Sequence, residues 1–369
     1  MSSVLAILSP RASTGFPAPP PPSPKKKKRK PPAPRYWSRQ GYRSPNGGDT
    51  TRNEAQSAQN GGLEIHTDNV MDIDIVDEAA EAIEQVQVTQ RKPVYEGPYS
   101  TVYKGVWNNQ TVAVKVIRAA GTLSKTRRKL RRETQIWGLL RHSNVLPMYG
   151  LCLDEQFGEY GALVSPWCSY GTSSEYLRQL VDKPEERIRL AIEVANGMNY
   201  LHTYQPIIVH GDLKPANILI DQSGTARLCD FGLIRIIQEE TNTGMTTTTP
   251  HTGTTRYLSQ ELMIAETPTP TLASDCYALG CVILEFAYLQ LPYASHNTTW
   301  RIQNDISNGV PPSTRFTDID DHEGHDLLWV LLEACWNLNP DFRPTSNIIY
   351  NHVLGHGDLM VEALGNLSP

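Results

Sequence analysis

The hydrophobic period of this chain changes once, near Ser173, and that change restricts the folds open to it. Before it, apolar residues recur at strand spacing. The stretches "VYEGPYSTVYKGVW" and "QTVAVKVIRA" alternate β-branched and polar residues around Asn108-Asn109, which predicts a hairpin. "MYGLCL" and "GALVSPW" predict two more strands. Between them, "SKTRRKLRRETQIWGLLRH" sets Leu130, Ile136, Trp137 and Leu140 close to helical spacing. After Ser173, "ERIRLAIEVANGMNYLH", "SDCYALGCVILEFAYL" and "HDLLWVLLEACW" predict long amphipathic or buried helices. A strand-rich part followed by a helix-rich part predicts an α+β chain with two lobes. No internal repeat is present.

The first 87 residues contribute little to that core. Residues 1–62 are rich in Pro, Ser, Gly and charge, with eleven Lys/Arg against Asp49 and Glu54. Such a segment cannot bury enough apolar surface to offset chain entropy and is expected to be a disordered basic tail. Within it, "PKKKKRKPP" gathers six cations over Lys25–Lys30. A cluster of this kind suits the acidic grooves of a nuclear import receptor, or nucleic acid. Residues 63–87 carry eight acids and no Lys or Arg, and are expected to be an acidic linker. Overall hydrophobic content is 39%, which agrees with part of the chain being unfolded. The six cysteines form no C-x-x-C pair, so reduced thiols in a cytoplasmic or nuclear protein are expected. No apolar run is long enough for a bilayer, and no membrane partner is expected.

Chemistry concentrates in four places. Lys115 projects from the strand "TVAVKVI" between apolar neighbours. Glu133 follows eighteen residues later, with Leu130 and Trp137 at helical spacing on its own face, so its carboxylate needs a buried partner, and Lys115 is the candidate. "HGDLKPAN" then presents Asp212, Lys214 and Asn217, and "DFG" presents Asp230. Two acids and an amide are hard oxygen donors, which suit magnesium.

Lys, Glu, H-x-D-x-K-x-x-N and D-F-G in this order resemble a eukaryotic protein kinase domain over residues 88–354, about seven-tenths of the chain, with 355–369 as a C-terminal tail. Three further motifs extend the resemblance: "GTTRYLSQE" is similar to the end of an activation segment, "SDCYALGCVILEF" to a central helix with a buried Asp275, and "CWNLNPDFRPT" to the closing motif of tyrosine kinases and the tyrosine-kinase-like group. The resemblance implies a two-lobed fold: a small antiparallel β-sheet lobe with one main helix, and a larger, mostly helical lobe. It implies ATP and Mg2+ as ligands and protein Ser/Thr hydroxyls as acceptors. By resemblance, Lys115 holds the α- and β-phosphates and is positioned by Glu133. Asp212 accepts the substrate proton, Lys214 steadies the γ-phosphoryl, and Asn217 and Asp230 hold the metal. Val102 and Ala113 would cover the adenine from above and Leu219 from below. The hinge would be "VSPWCSYG", with Ser165 at the back pocket and the backbone of Pro166 and Cys168 facing the adenine edge. His210, Phe231, Trp137 and Met148 match a stacked column joining the lobes, and Arg343 is expected to pair with Glu261. Lys214, and Thr254 after Gly253, match the serine/threonine pattern rather than the tyrosine one.

Three motifs depart from the family. Against G-x-G-x-x-G-x-V, Tyr95 and Ser100 stand at two of the three glycines and only Gly97 survives, with Pro98 beside it. A-P-E reads Ser259-Gln260-Glu261, and Gly211 stands where many kinases carry an arginine that receives an activating phosphate. These losses open the alternative of a pseudokinase, a nucleotide-binding scaffold or allosteric module on the same fold. Nucleic-acid binding would rest on Lys25–Lys30 alone, and the kinase pattern outweighs it.

Overall fold

The computed structural model describes residues 83–97, 100–118, 134–231, 255–315 and 323–365. They lie within one compact unit, Asp72–Pro369. Lys25–Lys30, Glu133, Gly232 and the threonines from Thr246 to Thr254 lie outside the described residues.

The N-terminal lobe is an antiparallel sheet of β1 (Gln87–Val88), β2 (Tyr95–Glu96), β3 (Ser100–Trp107), β4 (Gln110–Ile117), β5 (Gly150–Cys152) and β6 (Ala162–Pro166). The strand order is β1-β3-β4-β6-β5, with β2 also paired to β3. The expected hairpin is present: Trp107 faces Gln110, and Asn108 and Asn109 turn the chain with φ of 46° and 60°. A two-residue turn needs positive φ at both positions to match strand twist, and Asn tolerates that region best after Gly.

The two faces of the sheet differ. Val112, Val114, Cys152, Ala162 and Val164 form one buried layer, on which Ile83 and Val86 pack. Residues 83–87 therefore belong to the lobe rather than to the acidic linker expected over 63–87. The Ile83 N–H donates to the Leu151 carbonyl (3.2 Å), and Gln87 already pairs with Val106. The cause is burial: each of these two side chains contributes roughly 1.5–3 kcal/mol when taken out of water. A short acidic stretch can hold two such anchors without losing its acidic composition.

The larger lobe is helical. Its elements are α1 (Ser173–Leu177), α2 (Pro184–Thr203), α3 (Gln260–Ile264), α4 (Leu272–Tyr288), α5 (Thr299–Ser307), α6 (Glu323–Cys335), α7 (Ser346–Gly355) and α8 (Gly357–Gly365), with a two-stranded ribbon of β7 (Ile218–Ile220) and β8 (Ala226–Leu228) facing the cleft. Helix α4 is almost wholly buried and starts at a Thr271/Ser274 capping box, in which each side chain bonds the other's backbone N–H. The tail expected over 355–369 is corrected for its first part: α8 packs on α2 and α6, with Met360, Ala363 and Leu364 buried. Apolar residues at positions 360, 363 and 364 make one helical face, so the segment buries instead of trailing. All six cysteines are free and buried. Among the described residues, no helix is long and apolar enough to cross a membrane.

Candidate active site

The second face of the sheet looks into the cleft. In antiparallel pairs, directly opposed side chains share a face. Tyr95 opposes Val102, Val102 opposes Lys115 and Lys115 opposes Leu163, which makes one rank across four strands. Lys104, Ala113 and Ser165 make the next rank. Val102 and Ala113 are half-buried, as is Leu219 on β7 across the cleft, whereas Ser165 and Cys168 of the hinge are buried. The hinge Trp167 donates its N–H to the Thr111 carbonyl (3.3 Å) and carries the Lys104 ammonium 4.9 Å from its ring centre.

Lys115 reaches from this face to Asp230, Nζ to Oδ1 at 2.5 Å. Burial works against the ammonium, but the Asp230 carboxylate outweighs it, and the Lys115 pKa stands above its ordinary value. Asp230 itself has φ of 62°, a region that a residue with a Cβ occupies at a cost. Among the described residues its second carboxylate oxygen has no bond.

The catalytic-loop candidates converge on the same cleft. Asp212 Oδ2 accepts from Lys214 Nζ (2.6 Å) and from Asn217 Nδ2 (2.8 Å). Asn217 Nδ2 also donates to the Asp212 carbonyl (2.8 Å), which directs its amide oxygen away from Asp212. The donor set left facing the cleft is thus an Asp230 oxygen and an Asn217 oxygen, hard ligands that fit a divalent metal.

This loop is held from beneath by Asp275, which is 2% exposed. Asp275 accepts the N–H groups of His210 (2.7 Å) and Gly211 (2.9 Å), and its Oδ2 bonds His202 Nε2 (3.0 Å). A carboxylate taking two backbone N–H groups is a strong, charge-assisted clamp. His202 and Ser173, whose hydroxyl donates to the Pro215 carbonyl (3.0 Å), were not expected from the sequence. Ser173 lies 42 residues from Pro215 and His202 lies 73 from Asp275, through which it acts, and no local motif marks either one.

The stacked column is continuous. The Trp137 and Phe231 rings are 5.0 Å apart and Phe231 and His210 are 6.1 Å apart, with Met148 buried in the same core. Trp137 is fixed by its indole N–H on the Leu146 carbonyl (2.7 Å). Farther down, Arg343 makes the expected pair with Glu261 through two bonds of 2.6 and 2.8 Å.

Residues 89–354 match the protein kinase domain. The chain belongs to the protein kinase family. Its relatives include the serine/threonine-protein kinase STY17 of Arabidopsis thaliana, 29% identical over 264 residues, which covers 71% of this chain and 43% of the relative. The probable serine/threonine-protein kinase roco7 of Dictyostelium discoideum is 32% identical over 268 residues, 69% of this chain and 10% of the relative. The serine/threonine-protein kinase CTR1 of Arabidopsis thaliana is 28% identical over 260 residues, 69% of this chain and 30% of the relative. The chain thus spans less than half the length of these relatives.

One departure of this kinase domain from the family, Gly211, acquires a physical reading. Gly211 has φ of +77°, and a Cβ there would meet the Pro270 ring at 3.3 Å. The position suits glycine on both counts, strain and space. Arg256, the arginine of the activation segment among the described residues, spends its guanidinium on the carbonyls of Pro292, Tyr293 and His296 (2.6–2.8 Å). Cys229 is also explained. Burial pushes its thiol pKa well up, with Asp230 adding to the effect and Lys115 only partly opposing it, and its Sγ faces the Asn217 carbonyl (3.3 Å). A thiol, not a thiolate, is a poor nucleophile. A mild electrophile delivered to the cleft is therefore expected to leave Cys229 unmodified by mass spectrometry; stoichiometric labelling, blocked by nucleotide, would contradict this.

Proposed function

We propose that this domain is an active serine/threonine protein kinase of the tyrosine-kinase-like group. It transfers the γ-phosphoryl of Mg-ATP to Ser or Thr hydroxyls of protein substrates. The observation that carries this reading is the convergence of Lys115–Asp230 and Asp212–Lys214–Asn217 on one cleft, beneath an unbroken Trp137–Phe231–His210 column. In the proposed step, the substrate oxygen bonds to the γ-phosphorus and the bond from that phosphorus to the β,γ-bridging oxygen breaks, releasing ADP. Asp212 orients the hydroxyl and takes its proton. Lys115 holds the α- and β-phosphates, and Lys214 steadies the moving phosphoryl. Asn217 and Asp230 would hold magnesium, which supplies neutralisation of the phosphate oxygens. Transfer of this kind is mostly positioning and charge stabilisation, so a pre-assembled set of charges is what it requires. The names of the relatives, all serine/threonine kinases, support the choice of acceptor.

One observation favours the pseudokinase alternative: a phosphate loop in which Pro98 has no N–H and the Gly97 N–H closes on the Ser100 carbonyl (2.9 Å). The test is transfer of labelled phosphate by the full chain to itself and to a generic basic substrate, beside Lys115→Met. An active kinase gives label lost in the variant. A scaffold gives none in either.

Phosphate on the activation segment is expected to do little. Its usual receiver is replaced by Gly211, and Arg256 is committed to backbone carbonyls. Replacing Thr246, Thr247, Thr248, Thr249 and Thr252 with Ala should leave transfer to an outside substrate within a few-fold, under about 1 kcal/mol of barrier. A hundredfold loss would require another cation as receiver. Thr254 is kept because, by family resemblance, it contacts Asp212.

The Lys25–Lys30 cluster supports a second, sequence-based proposal, entry into the nucleus through an import receptor. A reporter fused to residues 1–62 should then concentrate in nuclei; an even distribution through the cell would refute it.

A further inference from the structure

A loop that cradles phosphates does so with backbone N–H groups, and this loop is short of them. Pro98 contributes none, and the Gly97 N–H is turned inward to Ser100 (2.9 Å). Yet one side chain of the loop already reaches into the space beneath it. Tyr95 stands on the cleft face of β2, in the same rank as Val102 and Lys115. Its ring folds back under the turn: a Cβ on Gly97 would lie 2.8 Å from the Tyr95 hydroxyl and 2.9 Å from its Cε1. The surviving glycine is thus the one that leaves room for the Tyr95 ring. The next residue along, Glu96, points to the opposite face and bonds Arg118 (2.8 Å), which also bonds the Thr101 hydroxyl. That bond pins the short β2 strand and fixes which way Tyr95 points. Tyr95 is 58% exposed, so the phenol has room to adjust to a ligand.

We propose that Tyr95 is a phosphate-binding residue of the nucleotide site. Its hydroxyl donates to the α- or β-phosphate beside Lys115 and stands in for the backbone donors that the loop has lost. The inference rests on the reading of the cleft as an ATP site and goes beyond it, because glycine, which has no side-chain donor, occupies this position in the family motif. The competing role for a ring at this point is obstruction, a plug that nucleotide must displace. The two differ in sign. A donor is lost by removing one oxygen, whereas a plug is relieved by removing the ring.

Calorimetric titration of the full chain with ADP-magnesium and with adenosine separates them. Tyr95→Phe keeps the ring and deletes the donor. It should weaken ADP about five- to tenfold, in line with the loss of one hydrogen bond to a charged group. Adenosine, which has no phosphate, should bind both forms within about twofold of each other. Tyr95→Gly restores the motif glycine and should weaken ADP at least as much as Tyr95→Phe. Unchanged thermal unfolding of both variants is expected for so exposed a side chain. ADP binding by Tyr95→Phe equal to that of the parent would overturn the proposal, and so would tighter binding by Tyr95→Gly. A parent chain that binds no nucleotide at all would overturn the reading of the site and this inference together. A parent that binds ADP well and ignores both substitutions would overturn this inference alone.

Discussion

Asp212→Asn is expected to lower phosphoryl transfer by about 10²- to 10⁴-fold, the usual contribution of a positioned general base, or about 2.7–5.4 kcal/mol of barrier. The substitution keeps the shape of the side chain and changes only what its oxygens can do. An amide cannot accept the substrate proton. Lys214 Nζ at 2.6 Å and Asn217 Nδ2 at 2.8 Å both bond the same oxygen, Oδ2, so an amide oxygen turned to that position keeps both donors satisfied. Nucleotide binding should survive, because Lys115 and Asp230 pair directly at 2.5 Å without a bond to Asp212. The diagnostic result is therefore a split: ADP affinity unchanged in a binding titration, transfer lost in a single-turnover assay. Transfer retained within tenfold would remove Asp212 from the role of base. Loss of nucleotide binding in step with transfer would point to a collapsed loop instead.

The chemistry of this cleft is legible in the sequence because each of its parts is local. Asp212, Lys214 and Asn217 lie within six residues, so one turn of backbone brings them together. The Asn108-Asn109 hairpin is equally local, as a two-residue turn declares its own backbone requirement. What holds the loop in place is not legible in this way. Asp275 meets His202 across 73 residues and the His210 N–H across 65. Buried partners so far apart in sequence obey no spacing rule, and His202 on α2 looks like any helical histidine near a C-terminus. The packed segments just outside the matched domain are hidden for a different reason. Ile83 and Val86 sit in an acidic stretch and α8 itself starts at Gly357, two residues after Gly355, so average composition hides the few apolar residues that decide burial. The departures from the family motif were visible as departures, but not what they do. That Gly211 lies against Pro270, and that Gly97 makes room for Tyr95, are facts of packing rather than of pattern.

Glu261→Ala is expected to lower folding stability by about 3 kcal/mol, the low end for breaking a buried ion pair from one side. The asymmetry of the pair sets this choice. Arg343 has a side chain 1% exposed, whereas that of Glu261 is 29% exposed. Removing the acid leaves a buried guanidinium whose remaining partners among the described residues are the Asn337 carbonyl (2.9 Å), the Ala273 carbonyl (3.0 Å) and the Tyr277 ring 5.1 Å away. Those partners keep the cost from being larger. For a domain of this size the loss corresponds to a Tm lower by roughly 5–10 °C. The pair also predicts a pH dependence. Burial alone would raise the Glu261 pKa, but the two bonds from Arg343 outweigh it, and the net shift is downward. A carboxyl depressed on folding contributes stability that is fully present above its unfolded pKa and is lost as pH falls through the lower, folded one. The gap between parent and variant should therefore be constant at neutral pH, begin to close only below about pH 4.5, and keep closing as the solution grows more acid. Thermal unfolding of both proteins across pH 3 to 8 measures it. A Tm difference under about 1 °C at pH 7, or one that grows in acid, would show that Arg343 is satisfied without Glu261. The joint between the end of the activation segment and the helical lobe would then have to be carried by Tyr257, whose hydroxyl bonds Glu285 on α4.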